Sequence, residues 1–142
     1  MYVQEFIAEM KPLALEVERQ FGIPYGVCLA QAALETGWGR HVSGNNYFGI
    51  KGKGQELKTR ERISGEEVEV KSHFRVYESK EESFADYGRL LSTAPRYAAA
   101  LQAESPEEFA RKLQAAGYAT DPKYAEKLIA LMHKWDLTSG GE

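Results

Sequence analysis

A chain of 142 residues, 43% hydrophobic and 27% charged, is long enough for one domain with its own core and too ordinary in composition for a disordered or fibrous protein. Its 18 Lys and Arg against 21 Asp and Glu give a formal charge of −3, which argues against nucleic acid as a partner. The single cysteine, Cys28, excludes an internal disulfide, and no run approaches the ~20 apolar residues of a membrane span, so membrane insertion is not expected.

Phe6, Ile7, Met10, Leu13 and Val17 recur at spacings of three and four, the stripe of a helix. Pro12 falls inside that stripe and predicts a kink or a restart, with Gly22 as the stop. A second helix is expected from Pro24 onward through YGVCLAQAALETGW; its alanine and leucine content suits a helix packed on several sides, and Gly37 and Gly39 end it. Residues 43–54, with glycines at 44, 49, 52 and 54, read as a loop in which Tyr47, Phe48 and Ile50 must dock on something. Residues 57–63 and 67–74 flank Ser64 and Gly65, and the alternation of Glu67, Glu69 and Lys71 with Val68 and Val70 predicts a β-hairpin turning there. Ser79 followed by Glu82 is a capping box ahead of Phe84, Tyr87, Leu90 and Leu91. Ser105, Pro106 and Glu108 start another helix, Asp121 and Pro122 a last one, and a short helix is expected around 96–101. The sum is an α+β domain, mainly helical, spanning 1–137, with a loose tail at 138–142. The N-terminal stretch carries Glu5 and Glu9 without an apolar core, so it does not have the form of a secretory signal.

Among residues that carry chemistry, Glu35 stands out. A carboxylate in the last turn of a packed helix meets the negative end of the helix dipole and poor solvation, and both raise its pKa toward that of a general acid. Trp38, between Gly37 and Gly39, suggests a tight backbone path that presents an aromatic ring at a cleft wall, where a sugar would stack. The position of Glu35 also suits a surface glutamate that merely ends a helix. Glycoside hydrolysis usually asks for a second carboxylate, and Glu61, Glu66, Glu67, Glu69 and Asp86 are the candidates. Glu61 is the most attractive of these, because Arg60 and Arg62 flank it and would hold it ionised. Tyr118 sits in the glycine-containing loop AGYATDP and is expected to face a groove, whereas Tyr47 and Phe48 read first as core. Asn45 and Asn46 could donate amide hydrogen bonds to an N-acetyl group or cap local backbone. His41, His73 and His133 form no HExxH, and no CxxC, GxSxG or phosphate loop is present, so neither a metal nor a cofactor is expected.

The segments LAQAALETGWG (29–39), NNYFGIK (45–51), TRE (59–61), HFRVY (73–77), ESFADYGRLL (82–91), PRYAAAL (95–101) and LQAAGYATDPKYAEKL (113–128) together resemble the N-acetylglucosaminidase family typified by FlgJ-type flagellar muramidase domains and by autolysins. The resemblance implies a lysozyme-like fold in which a small β-hairpin lobe flanks the cleft. It implies Glu35 as catalytic acid, Glu61 as second carboxylate, Tyr118 in the groove near the sugar, and Asn46 with Phe48, and Tyr47 between them, as the groove loop. The implied reaction is endo-hydrolysis of the β-1,4 bond on the reducing side of N-acetylglucosamine in a peptidoglycan strand, without a cofactor. The place of action would be the cell wall or periplasm, reached through a parent protein, a holin or a secretion or flagellar apparatus. The sequence departs from the flagellar members at Arg62, where they tend to have tyrosine, and in a shorter segment between His41 and Asn45. Alternatives are an N-acetylmuramidase or lytic transglycosylase on the neighbouring bond, or a weakly active peptidoglycan-binding module of a tail or flagellar assembly.

Overall fold

The structure, a computed structural model, describes residues 2–138; the expected loose tail falls, apart from Thr138, outside the described residues. Helix α1 (Tyr2–Phe21) buries Val3, Phe6, Met10, Ala14 and Val17 along one face. It runs through Pro12 as one element, so the expected restart does not occur. Pro12 cannot donate to the carbonyl of Ala8, but both residues lie on the exposed face, where water can satisfy that carbonyl. Gly22 ends the helix in the left-handed region (φ 76) with its N–H on the Glu18 carbonyl, 2.9 Å.

Helix α2 (Tyr25–Thr36) is the central element and packs against α1, α4 (Pro106–Ala115) and α5 (Tyr124–Lys134). It is buried over most of its surface; Leu34 and Glu35 are the residues that emerge from it. Gly26 shows how closely neighbours approach: a Cβ there would lie 1.9 Å from the Leu137 carbonyl oxygen. The one glutamine of the core, Gln31, is satisfied on both sides, donating to the Tyr124 hydroxyl (2.9 Å) and accepting from that of Tyr87 on α3 (Lys80–Thr93). This polar link joins α2, α3 and α5 inside the core.

The helix starts follow the local chemistry. Ser79 Oγ accepts from the Glu82 N–H and Ser105 Oγ from the Glu108 N–H, each at 3.1 Å. At the last start, Asp121 instead accepts from the Lys123 N–H (2.9 Å), forming a turn that feeds a helix beginning at Tyr124. Two 3-10 turns, Pro95–Tyr97 and Ala100–Gln102, occupy the place of the expected short helix.

Strands β1 (Gly54–Ile63) and β2 (Glu66–Arg75) form an antiparallel hairpin, longer at its open end than the alternation suggested. Ser64 (φ 52) and Gly65 (φ 83) make the two-residue turn with both residues left-handed, the geometry that matches strand twist. Of all the strand residues only Phe74 is buried. The hairpin is therefore held at its base. Asn46 holds it there, donating to the carbonyls of Ile50 (2.9 Å) and Arg75 (3.0 Å) and accepting from the N–H groups of Phe48 and Ile50. Among the described residues no helix is long and apolar enough to cross a membrane.

Candidate active site

Between the helices and the hairpin lies a cleft of about 670 Å³, onto which Glu35, Phe48, Glu61 and Tyr118 all open. Glu35 is set by the way α2 ends. Gly37, Trp38 and Gly39 are three consecutive left-handed residues (φ 58, 60 and 84), and they turn the chain sharply away just beyond the acid. On its other side Glu35 meets Gly49, where an added Cβ would lie 2.3 Å from the carboxylate oxygen Oε1. Gly49 also has φ 65, so both its backbone and the acid beside it require glycine. Glu35 is exposed to the cleft on one side, and the Gly49 backbone closes on its carboxylate from the other. Burial first, and the negative charge of Glu61 second, raise its pKa above the ordinary carboxylate range.

Glu61 occupies the opposite environment. Lys51 Nζ lies 2.8 Å from Oε1, and the Thr120 hydroxyl donates to Oε2 at 3.0 Å. The Lys51 contact, partly opposed by burial and aided by Thr120, lowers its pKa. Arg60 and Arg62, expected to perform this task, do not. Each is engaged elsewhere: Arg60, which also borders the cleft, approaches Glu67 at 3.5 Å, and the Arg62 guanidinium donates to the Gly65 carbonyl. The other candidate carboxylates are also placed. Asp86 accepts from Arg75 (2.8 Å) and Tyr77 (2.5 Å), and Arg75 in turn donates to the main-chain carbonyl of Lys51. Asp86 thus braces the residue that holds Glu61. Glu66, Glu67 and Glu69 are exposed on β2 and absent from the cleft wall.

Tyr118 lines the cleft as expected, with its ring stacked on Tyr124 at 5.7 Å. Its hydroxyl proton goes to the Phe48 carbonyl (3.0 Å), and burial pushes its pKa up, so the group is neutral. Phe48 reaches the cleft beside that contact, while its ring stacks on Tyr87 at 4.0 Å in the core. The remaining groove candidates are not brought to the cleft. Trp38 packs edge-on against Phe6 and Trp135, because the left-handed run turns its ring back onto α1 and the end of α5. Asn46 has committed its amide to the loop and the hairpin base, which leaves nothing to offer an acetyl group. Tyr47 packs on Phe84. Three contributors escaped sequence reasoning: Gly49, Lys51 and Thr120. Each carries a generic residue type, and only the long-range pairing of loop, strand and α4–α5 connection gives it meaning. Among the described residues no three His, Cys, Asp or Glu side chains converge as metal ligands would.

Residues 11–137 match the family model for glucosaminidases, described as mannosyl-glycoprotein endo-β-N-acetylglucosaminidase. The chain belongs to the glucosaminidase family. This glucosaminidase domain is 44% identical over 142 residues to the peptidoglycan hydrolase FlgJ of Escherichia coli K12, an alignment covering 91% of this chain and 45% of that protein. It is 34% identical over 146 residues to the exo-glucosaminidase LytG of Bacillus subtilis, covering 94% and 52%. The crystal structure of a peptidoglycan hydrolase mutant from Sphingomonas sp. A1 superposes with a TM-score of 0.83 at 37% identity, over 91% of this chain and 92% of that one. The fold is thus lysozyme-like and the domain a glycoside hydrolase. The chain spans about half the length of the curated relatives it matches.

Proposed function

We propose that this domain hydrolyses peptidoglycan, cutting the β-1,4 bond on the reducing side of N-acetylglucosamine within the glycan strand. The observation that carries the reading is the pair Glu35 and Glu61, two carboxylates on one cleft whose ionisation is displaced in opposite directions. Protonated Glu35 gives its proton to the bridging oxygen as the glycosidic C–O bond breaks, and positive charge develops at the anomeric carbon. Anionic Glu61 stabilises that charge. A carboxylate with a lowered pKa is a weak base, and both of its oxygens already accept hydrogen bonds, so we do not assign Glu61 the activation of water. The acetamido oxygen of the substrate instead attacks the anomeric carbon. Water then opens the cyclic intermediate, with deprotonated Glu35 taking its proton back. Tyr118 supplies a neutral ring to the cleft wall and braces the Phe48 carbonyl next to Gly49, which makes it a positioning residue.

The relatives described as peptidoglycan hydrolases support the substrate class, and the exo-glucosaminidase among them supports the bond while leaving the end-on mode as a second reading. The place of action would be the cell wall or periplasm, with a longer parent protein or a flagellar or secretion apparatus as carrier. The test is mass spectrometry of borohydride-reduced fragments from purified peptidoglycan, with Glu35→Gln in parallel. Reduced N-acetylglucosamine ends, absent from the variant, are expected. Fragments of mixed length mark internal cutting, and a single short product marks cutting from an end. Reduced or anhydro-muramic ends would move the reaction to the neighbouring bond, and no fragments from folded wild type would overturn the enzymatic reading.

A further inference from the structure

Five cationic side chains open onto the cleft: Lys51, Arg60, Arg75, Arg96 and Lys127. Four of them have a carboxylate partner, namely Glu61, Glu67, Asp86 and Asp121. Arg96 has none among the described residues. It projects from the 3-10 turn Pro95–Tyr97, with its guanidinium carbon 4.7 Å from the centroid of the Tyr97 ring, and it is exposed. Tyr97 in turn packs against Tyr118 at 6.0 Å, so the cation is mounted on the aromatic wall that carries Tyr118. Half-buried Leu90 opens onto the same cleft.

We infer that Arg96 binds the carboxylate-bearing substituent of the glycan strand and thereby sets which sugar sits over Glu35. The inference rests on the proposed substrate. In such a strand every second sugar carries a lactyl ether, a branched group with a methyl and a carboxyl that is either free or extended into an acidic peptide. The intervening sugar carries no charge. A fixed cation at one place on the cleft wall distinguishes the two sugars, and it admits the strand in one of the two registers available to a uniform β-1,4 polymer. An arginine suits this role, because its fork binds a carboxylate through two parallel hydrogen bonds while the guanidinium lies over the Tyr97 ring. Leu90 offers the apolar contact that a lactyl methyl needs.

The test uses the Glu35→Gln protein so that ligand is not consumed, and compares it with Glu35→Gln carrying Arg96→Gln or Arg96→Lys. Binding is measured by calorimetry at low salt to two probes: uncross-linked glycan strands with their carboxylates intact, and the same strands after carbodiimide amidation. Arg96→Gln is expected to weaken binding of the intact strands by about tenfold and to leave the amidated strands unchanged within twofold. Arg96→Lys should restore part of the loss, and added salt should erase the difference between the proteins. In the active background, Arg96→Gln should yield a mixture of reduced N-acetylglucosamine and reduced muramic ends. Equal loss on both probes at unchanged Tm, or no loss on either, would overturn the role of Arg96 while the hydrolase reading stands. Failure of the parent Glu35→Gln protein to bind either probe would overturn the substrate itself.

Discussion

The two lobes hold their carboxylates by opposite means. In the helical lobe, Glu35 is perturbed by what surrounds it: the packed end of α2 and the glycine loop pressed against its carboxylate, with the charge of Glu61 second. On the hairpin, where Phe74 is the one buried strand residue, Glu61 is perturbed by two discrete partners, a lysine ammonium and a threonine hydroxyl. Burial favours the neutral form and a nearby cation the charged one, so the two carboxylates of one cleft have their pKa values displaced in opposite directions. The lesson is that a lobe without a core can still tune a titratable group, provided its partners come from outside the lobe.

The largest effect should come from removing the acid. Glu35→Gln is expected to lower kcat by roughly 10²- to 10⁴-fold with little change in strand affinity, measured by release of reducing ends. The same variant should melt higher near neutral pH. A carboxylate with a raised folded-state pKa binds its proton more tightly in the folded protein, so its contribution to stability is present at low pH and lost as pH rises through that pKa. Removing the charge therefore helps the folded state, and a lower Tm at pH 7 would contradict this. Gly49→Ala should reduce kcat more than it raises KM, because the new methyl group must displace the Glu35 carboxylate. It should also destabilise the domain by about 1 kcal/mol or more, since φ is positive there.

Smaller effects probe the hairpin. Glu61→Gln should cost less than ~10²-fold if the residue is a stabiliser and not a base, and a loss as large as that of Glu35→Gln would restore the base assignment. The pH profile of kcat/KM sharpens the contrast. Its alkaline limb belongs to Glu35 and should move to lower pH in Glu61→Gln, because the neighbouring negative charge that helps hold the proton is gone. Its acid limb belongs to Glu61 and should move to higher pH in Lys51→Met, which removes the main cause of the lowered pKa. Least disruptive is Ser105→Ala, a cap remote from the cleft, expected to cost about 1 kcal/mol of stability in denaturant unfolding with kcat unchanged.

Much of the helical lobe was legible because its signals are local. The apolar stripe of α1, the caps at Ser79 and Ser105, and the αL stops at Gly22 and Gly37 are written within a few residues of where they act. The place of Glu35 in the last turn of α2 was legible for the same reason, as was the turn at Ser64 and Gly65. Trp38 was misjudged because tight glycines announce a sharp turn without giving its direction, and here the turn points the ring inward. Asn46 was misjudged because an asparagine that organises a loop and one that binds a ligand carry the same amide. The cations around Glu61 failed most instructively. Arg60 and Arg62 are the sequence neighbours of Glu61 but engage Glu67 and the Gly65 carbonyl, whereas Lys51, ten positions away, is its partner.

The Thr120 hydroxyl donates to Glu61 while accepting from the main-chain N–H of Arg62 at 3.2 Å, so a single side chain from the α4–α5 connection clasps β1 across the cleft. Opening the clasp to lay a polymer in sideways would also withdraw a hydrogen bond that keeps Glu61 charged, so an open hairpin would be chemically quieter as well as wider. A strand threaded lengthwise would leave the clasp shut and the charge undisturbed. Any movement of the hairpin that breaks the Thr120 contact thus also removes one of the two hydrogen bonds that lower the Glu61 pKa.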